Sequence, residues 1–475
     1  MRLEFIEESF AKLESDSLLQ NLIAQANARY ILYNTGETKG NFPRYTIKDE
    51  QLNLLAFKYL NIGCNYFENK IYSQASHSIE KGASILEHVH GSPNVQTKNK
   101  NLYVLISALG YYVSFQYSKS FILIKKIQSD TIISSLISFF LKRDFNLLSN
   151  EINRLVINSN YSDEYIAEHH SVDNITIKVY EIVIAKALNF YMRYYHTGEK
   201  ELLESAKKDL NNLKVIAEIR GEPDIWWVIR LLLLILEGFN QASLWQVLSN
   251  YFDTQDNFPL KYIQSLIYKT SGSITELFVT QRNSLPKVLS HESNGCIVSI
   301  PTSSGKTRIG EIAILNCIMS HPDDKILFVA PFRSLAYEIE NSLDEIFSNL
   351  NISISHLYGG SLFSKLDEKI IDESSVIVAT PEKAKALLRS NTEVLSSLKL
   401  VIVDEGHLFG ENKRLIVNEM FYEELKYHVI KNEGKFLLLS AVLPNAEDLA
   451  EWLTNSSENV YKENLRRESG KIRNQ

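Results

Sequence analysis

Two short runs in this chain hold residue types that can work on a phosphate. The first, IPTSSGKTRIGEIAIL at 300–315, follows the β-branched run GCIVSI and opens a helix-spaced stretch. A triphosphate is held by a tight loop of backbone N–H groups at a helix N-terminus, by a lysine reaching its β and γ phosphates, and by a hydroxyl on Mg²⁺. The loop residues Thr302, Ser303, Ser304 and Gly305, with Lys306 and Thr307, supply those parts. The strict phosphate-loop spacing asks for glycine where Ile300 stands. The match therefore rests on its strand-loop-helix context, and a chance glycine turn is the competing reading. The second run, LKLVIVDEGH at 398–407, sets two carboxylates at the end of an apolar strand. In phosphoryl transfer Asp404 would hold Mg²⁺ through its water shell, and Glu405 would orient and deprotonate the attacking water. A bare acidic pair is otherwise a solvated strand end, so its meaning depends on the phosphate loop upstream.

The elements that must position these residues follow from length and patterning. At 475 residues and 54.4 kDa the chain is long enough for two or three domains. With 45% hydrophobic and 23% charged residues, it is neither disordered nor fibrous in composition. A formal net charge of -7 confines any nucleic-acid binding to a local basic groove. Three scattered cysteines, Cys64, Cys296 and Cys317, suit a reducing cytoplasm and give no disulfide framework and no structural metal site. The start MRLEFIEESF carries glutamates where an export signal would be basic and then apolar. The apolar runs at 132–141 and 226–236 fall short of a bilayer span, and the second contains Arg230, so both read as buried helices and no membrane is expected.

Helix-spaced segments dominate before residue 270 and short β-rich runs after it. The boundary is expected in KTSGSIT, giving an all-helical domain over 1–270 and a nucleotide-binding domain over 271–475. Helical segments are read at 51–70, 74–90, 101–126, 177–195, 201–218 and 225–239. Tyr59, Gly63, Tyr66, Ala75 and Ile79 stand at the spacing of a tetratricopeptide unit, in which small residues let two antiparallel helices approach. Ala108, Tyr111, Ser120 and Ile124 repeat it more weakly, and Ala187, Phe190 and Ala206 only with an insertion. The irregular period reads as a generic helical array that binds a partner or braces a neighbour. Trp226 and Trp227, in an apolar helix, read as core rather than as a base-stacking platform. In the second part the runs GCIVSI, KILFVA, ISHLY, SVIVA, LKLVIV and KFLLLSA alternate with helical stretches, as in a mostly parallel sheet covered on both faces. Ligands then belong at the carboxyl ends of the strands.

Taken together, PTSSGKT, VDEGH and SAVLPNAEDLAEWL resemble the first RecA-like domain of the superfamily-2 DExH-box helicases, over roughly 275–455. The resemblance implies ATP and Mg²⁺ as cofactors and single-stranded DNA or RNA as partner, and it extends the site. ELFVTQRNSLPKVL resembles the Q motif, which makes Gln281 the adenine reader. APFRSLAYEIE resembles motif Ia, with Pro331 and Arg333 facing the nucleic-acid backbone. YGG and ATPEK resemble the next strand-gripping motifs, with Gly359, Gly360, Thr380 and Pro381 turned to phosphates. His407 and Ser440 resemble the pair that couples ATP to the nucleic-acid groove, although Val442 stands where the family has threonine. The family closes ATP between two RecA-like domains, and the run after 455, a polar tail in this reading, carries no glutamine-and-arginine motif. The expectation is a chain without the second domain, whether as a fragment, a truncated product or one half of a two-chain enzyme, and weak or absent turnover by these residues alone. The layout also resembles the helicase subunits of the bacterial Hachiman antiphage systems, which work beside a nuclease subunit. Two other readings stand beside a helicase or translocase. One is a nucleotide-sensing interaction protein without turnover, which has no use for Glu405. The other is an AAA+ ATPase, weakened by the GH after DE and by SAV.

Overall fold

A computed structural model describes residues 3–35, 49–91, 100–127, 131–158, 172–269, 272–301, 304–357, 365–390, 394, 396–406, 413–441 and 443–463. The chain divides into two compact units, Met1–Gln241 and Ala242–Gln475.

The first unit is helical throughout its described residues. Helices Asp49–Glu68 and Tyr72–His90 pack as an antiparallel pair whose contact depends on two glycines. A Cβ on Gly63 would lie 2.5 Å from Ile79 Cγ1, and one on Gly82 would lie 2.7 Å from Leu60 Cγ and 2.8 Å from the Ala56 carbonyl. Tyr59, Tyr66, Ala75 and Ile79 fill the seam and are buried. Buried serines tie successive helices together, Ser78 donating to the Tyr59 carbonyl at 2.7 Å, Ser107 to Ala83 at 2.7 Å and Ser120 to Ala108 at 2.8 Å.

Three expectations for this region change. The stretch read as 101–126 is two helices, Lys100–Val113 and Tyr117–Ile124, because Phe115 turns into the left-handed region at φ 62° between them. The run at 226–236 lies inside a longer helix, Pro223–Ala242, which by length and composition alone could cross a bilayer; 67% of its most apolar window is buried in the protein. Trp226 and Trp227 are half-buried rather than core. They flank the guanidinium of Arg230 at 5.2 and 5.6 Å, and that guanidinium binds Asn61 Oδ1 at 2.7 Å and Glu68 Oε1 at 3.1 Å.

Among its described residues the second unit holds a seven-stranded, wholly parallel sheet. Its strands are β1 (Gly295–Ser299), β2 (Lys325–Val329), β3 (Ile354–His356), β4 (Val376–Ala379), β5 (Leu398–Val403), β6 (Lys435–Ser440) and β7 (Val460–Lys462), in the order β3-β4-β2-β5-β6-β1-β7. Six of them were legible as apolar runs. β7 falls in the segment read as a polar tail, and pairs in parallel with β1, Val298 opposite Tyr461. β1, β4 and β6 are almost wholly buried, as a sheet with helices on both faces requires.

At the amino ends of three strands a lysine accounts for the exposed carbonyls of a neighbouring helix terminus. Lys325 donates to Ile371 and Ser374 at 2.9 and 2.7 Å, Lys399 to Asn432 at 2.5 Å, and Lys435 to Ser290 at 2.6 Å. Burial holds both the Lys325 and Lys435 amines below the usual lysine range.

The units meet at 241/242, upstream of the boundary expected at 270. Helix Asn257–Ile267 belongs with the sheet because Tyr262 packs on Phe347 at 6.0 Å between ring centroids, and Ser265 accepts from Asn349 at 3.1 Å. Lys269 and residues 272–275 of KTSGSIT fall inside the second unit and do not mark its start. Replacing Gly63 by alanine forces a methyl into Ile79 and its backbone, and a loss of about 1–3 kcal/mol is expected by denaturant titration; an unchanged midpoint would mean that the two helices sit further apart.

Candidate nucleotide-binding site

Parallel strands deliver all their carboxyl ends to one edge of the sheet, and the strand order decides which loops become neighbours. The row β5-β6-β1 brings together the ends that carry DE, SA and the phosphate loop. The row β3-β4-β2 gathers the ends that lead into YGG, ATPEK and APFRS. The residues expected to handle ATP and those expected to face a nucleic-acid strand therefore occupy two adjoining stretches of one edge. The seam between them is β2 against β5, where the Asp404 N–H donates to the Val329 carbonyl at 2.9 Å.

In the first stretch, Gly305 caps helix Lys306–Ser320 in the left-handed region, φ 77° and ψ 43°. This conformation costs an L-residue about 1–2 kcal/mol and closes the loop tightly onto the helix start. Gln281, from helix Val279–Val288, reaches that turn. Its Nε2 donates to the Gly305 carbonyl at 3.0 Å, and its Oε1 accepts from the Phe278 N–H at 2.9 Å. A Cβ on Gly305 would stand 2.1 Å from that Nε2. Ser304 folds its hydroxyl back on the Pro301 carbonyl. Lys306 is buried and extends to Glu405, Nζ to Oε1 at 2.8 Å, joining residues 99 apart in sequence. Thr307 lies in the first turn of the same helix.

Glu405 sits at φ 51°, and its N–H donates to Asp404 Oδ1 at 2.9 Å, so the pair forms a sharp turn at the end of β5 with Asp404 buried beside it. The next residue has to be glycine on space alone, since a Cβ on Gly406 would meet Leu438 Cδ2 at 2.4 Å. The carbonyl of Ser440, a wholly buried residue at the end of β6, accepts the Ile300 N–H at 3.2 Å and so stitches the start of the phosphate loop to the middle strand.

Motif matching missed a residue here. Ser299 accepts from the Leu443 N–H at 2.8 Å and donates to the Ala441 carbonyl at 3.3 Å, clamping the SA loop to β1. A lone serine ending an apolar run gives no signal in sequence.

In the second stretch, Pro331 is buried, and Phe332 and Arg333 are exposed where helix Arg333–Phe347 begins. Thr380 is half-buried ahead of helix Pro381–Ser390, its carbonyl accepting from Ala384. The Ala330 N–H donates to the Ala379 carbonyl at 2.9 Å, which keeps these two loop starts abreast. Thr302, Ser303, Gly359, Gly360, His407 and Val442 lie outside the described residues.

The donor set fits a nucleotide with its magnesium ion: a glycine cradle too tight for a methyl, a buried ammonium, a first-turn hydroxyl and two adjacent carboxylates meet at one edge. Replacing Gly305 by alanine should push Gln281 off the loop as well as strain φ, for a loss of about 1–3 kcal/mol in thermal or denaturant unfolding. A neutral substitution would mean that the loop does not hold this turn.

Comparison with known proteins agrees with this geometry. Residues 279–449 match the DEAD/DEAH box helicase family model. The chain is 41% identical over 454 residues to "Hachiman protein HamB" of Bacillus cereus, covering 95% of this chain and 40% of that protein. It is 31% identical over 184 residues to "ATP-dependent DNA helicase Hel308" of Methanococcus vannielii, covering 38% of this chain and 23% of the relative. It is 33% identical over 192 residues to "ATP-dependent DNA helicase MER3" of Saccharomyces cerevisiae, covering 39% of this chain and 15% of the relative. The chain thus spans less than half the length of each of these relatives.

Proposed function

We propose, from a chain whose residues 279–449 match the DEAD/DEAH box helicase family model, that it binds Mg-ATP at the β5-β6-β1 edge and a single strand of DNA or RNA at the β3-β4-β2 edge. On this reading it forms the ATP-binding part of a nucleic-acid helicase or translocase. The observation that carries it is the contact between Lys306 and Glu405 at 2.8 Å, because it brings the phosphate-loop lysine and the acidic strand end, 99 residues apart in sequence, to one point of the sheet edge, where a terminal phosphate would take the lysine over from the carboxylate.

Bound Mg²⁺ supplies charge neutralisation for the terminal phosphates. The chain's own residues do the rest. Lys306 sets a full positive charge against the γ-phosphate, and Gly305 and the first turn of its helix present N–H groups to the anion. Asp404, fixed by the β2 seam, serves the metal, and Thr307 offers it a hydroxyl. Glu405 exchanges its bond to Lys306 for the attacking water, whose proton it takes. Gln281, braced on Gly305, reads the adenine edge. Ser440 and His407 carry the state of the phosphate site toward Pro331, Arg333, Gly359, Gly360, Thr380 and Pro381 on the strand.

The similarity to HamB runs through both units, whereas the two DNA helicases match over fewer than 200 residues each. This supports a role in antiphage defence; our reading adds the cytoplasm as its place and the helical unit as the surface for a protein partner such as a nuclease subunit.

Calorimetry separates the roles at the phosphate. Lys306→Ala is expected to abolish most Mg-ATP binding, while Glu405→Gln keeps binding and lowers hydrolysis by about 10²-fold or more in an enzyme that turns over. Equal affinity in the lysine variant would remove the site. Arg333→Ala should weaken single-strand binding and reduce the slope of log affinity against log salt by roughly 0.7, the loss of one phosphate contact. An unchanged slope would move the strand elsewhere.

A further inference from the structure

The helix that starts at Lys306 is gripped from behind by a charged cluster in the interior of the second unit. Arg308 is nine-tenths buried and ion-paired to Glu311 one turn on, itself 1% exposed. The Tyr262 hydroxyl, wholly buried on helix Asn257–Ile267, lies 3.5 Å from the same Glu311 oxygen. Lys269, just past that helix, binds Glu345 at 3.2 Å and Ser342 at 3.5 Å on helix Arg333–Phe347. Burial raises the Glu311 carboxyl above the usual range, and Arg308 and Lys269 oppose that shift.

The direction of these bonds matters. At about 100° per residue, Arg308 points roughly 200° around the helix from Lys306, and Glu311 roughly 140°. Arg308 and Glu311 ride on the same helix, so what holds its rear face is the Tyr262 hydroxyl of helix Asn257–Ile267; rotating the first turn would carry the buried pair away from that hydroxyl and leave its charge less well satisfied, which is costly. The setting of that turn decides where Lys306 and the N–H groups after Gly305 point. The Arg308 N–H also donates to the Gly305 carbonyl at 3.1 Å, the atom that Gln281 holds from the other side.

We propose that Arg308, Glu311 and Tyr262 are positioning residues for the phosphate loop. Helix Asn257–Ile267, which lies outside the matched residues 279–449, then belongs to the nucleotide site as its rear brace. This rests on the assignment of Mg-ATP to Lys306. The same helix and its end also meet the helix that begins at Arg333, Tyr262 packing on Phe347 at 6.0 Å and Lys269 pairing with Glu345, so the phosphate loop and the motif Ia helix lean on one element.

The test uses the whole chain, with Mg-ATP as probe, calorimetry for affinity and melting for stability. Tyr262→Phe removes one hydroxyl from a buried site and is expected to weaken binding roughly threefold to tenfold. The double substitution Arg308→Leu with Glu311→Leu removes both charges together, which buried pairs tolerate better than loss of one, and should weaken binding by about tenfold or more. Gly434→Ala is the control for stability alone. Its Cβ would meet the Lys399 carbonyl at 2.5 Å at the amino edge of the sheet, so it should lower the melting temperature and leave affinity at the wild-type value. If Tyr262→Phe and the double variant bind Mg-ATP like wild type, or lose no more affinity than Gly434→Ala at matched melting temperature, the brace is overturned. Should the double variant fail to fold, Tyr262→Phe against Gly434→Ala decides alone. Failure of the wild type to bind, or equal binding by Lys306→Ala, would instead overturn the nucleotide assignment on which the brace rests.

Discussion

The parallel hydrogen-bonded row β5-β6-β1 is the constraint on which the site depends. Lys306 and Glu405 are separated by four strands' worth of chain, and nothing local brings them together. What does so is the ladder that sets Val403 opposite Leu438 and Ser299 opposite Ser440, so that three strand ends finish side by side. Once that register is set, the turn geometry follows from space. Gly406 has no room for a Cβ against Leu438, Gly305 holds a left-handed φ that favours glycine, and Glu405 takes a left-handed φ with its N–H bonded to Asp404. The same order sends β2, β4 and β3 to the other side of β5, which separates the loops expected to touch a strand from those expected to touch a phosphate while keeping them hydrogen-bonded across one seam.

The helical unit is built on a different principle. Its helices come close because Gly63 and Gly82 leave room for backbone and side chain of the neighbouring helix, and buried serines then bond to carbonyls that close approach has made reachable. Large rings fill what remains. Tyr191, Tyr194, Tyr195 and Phe239 form a buried group with centroids 5.2 to 6.0 Å apart. Such a seam is filled by its own side chains, and the packing of these residues does not point to a ligand.

How much of this could be read from residues alone depended on the length of the element and on whether its signal was local. The strands at 295–299, 325–329 and 435–440 announced themselves as apolar runs buried on both faces. The three-residue β7 did not, since Val460, Tyr461 and Lys462 are all half-buried and its identity lies in pairing with β1. The phosphate loop and the acidic pair were legible because their chemistry requires contiguous residue types. Helix Asn257–Ile267 packs with the sheet, not with the helices before it, because its allegiance is set by Tyr262 and Ser265 against Phe347 and Asn349, 85 and 84 positions downstream. Arg308 and Glu311 belong to no motif, and only the fold shows them buried. Trp226 and Trp227 misled in the opposite sense, since an apolar helix hid the one arginine that needed flanking rings.

The central claim is that the loop after β1 and the turn after β5 form one nucleotide site. Hydrogen exchange of the whole chain with and without a non-hydrolysable Mg-ATP analogue tests it directly. Peptides covering 299–308 and those covering 402–406 should gain protection together, at the same ligand concentration. Protection of one without the other, or protection confined to the helical unit, would contradict the account.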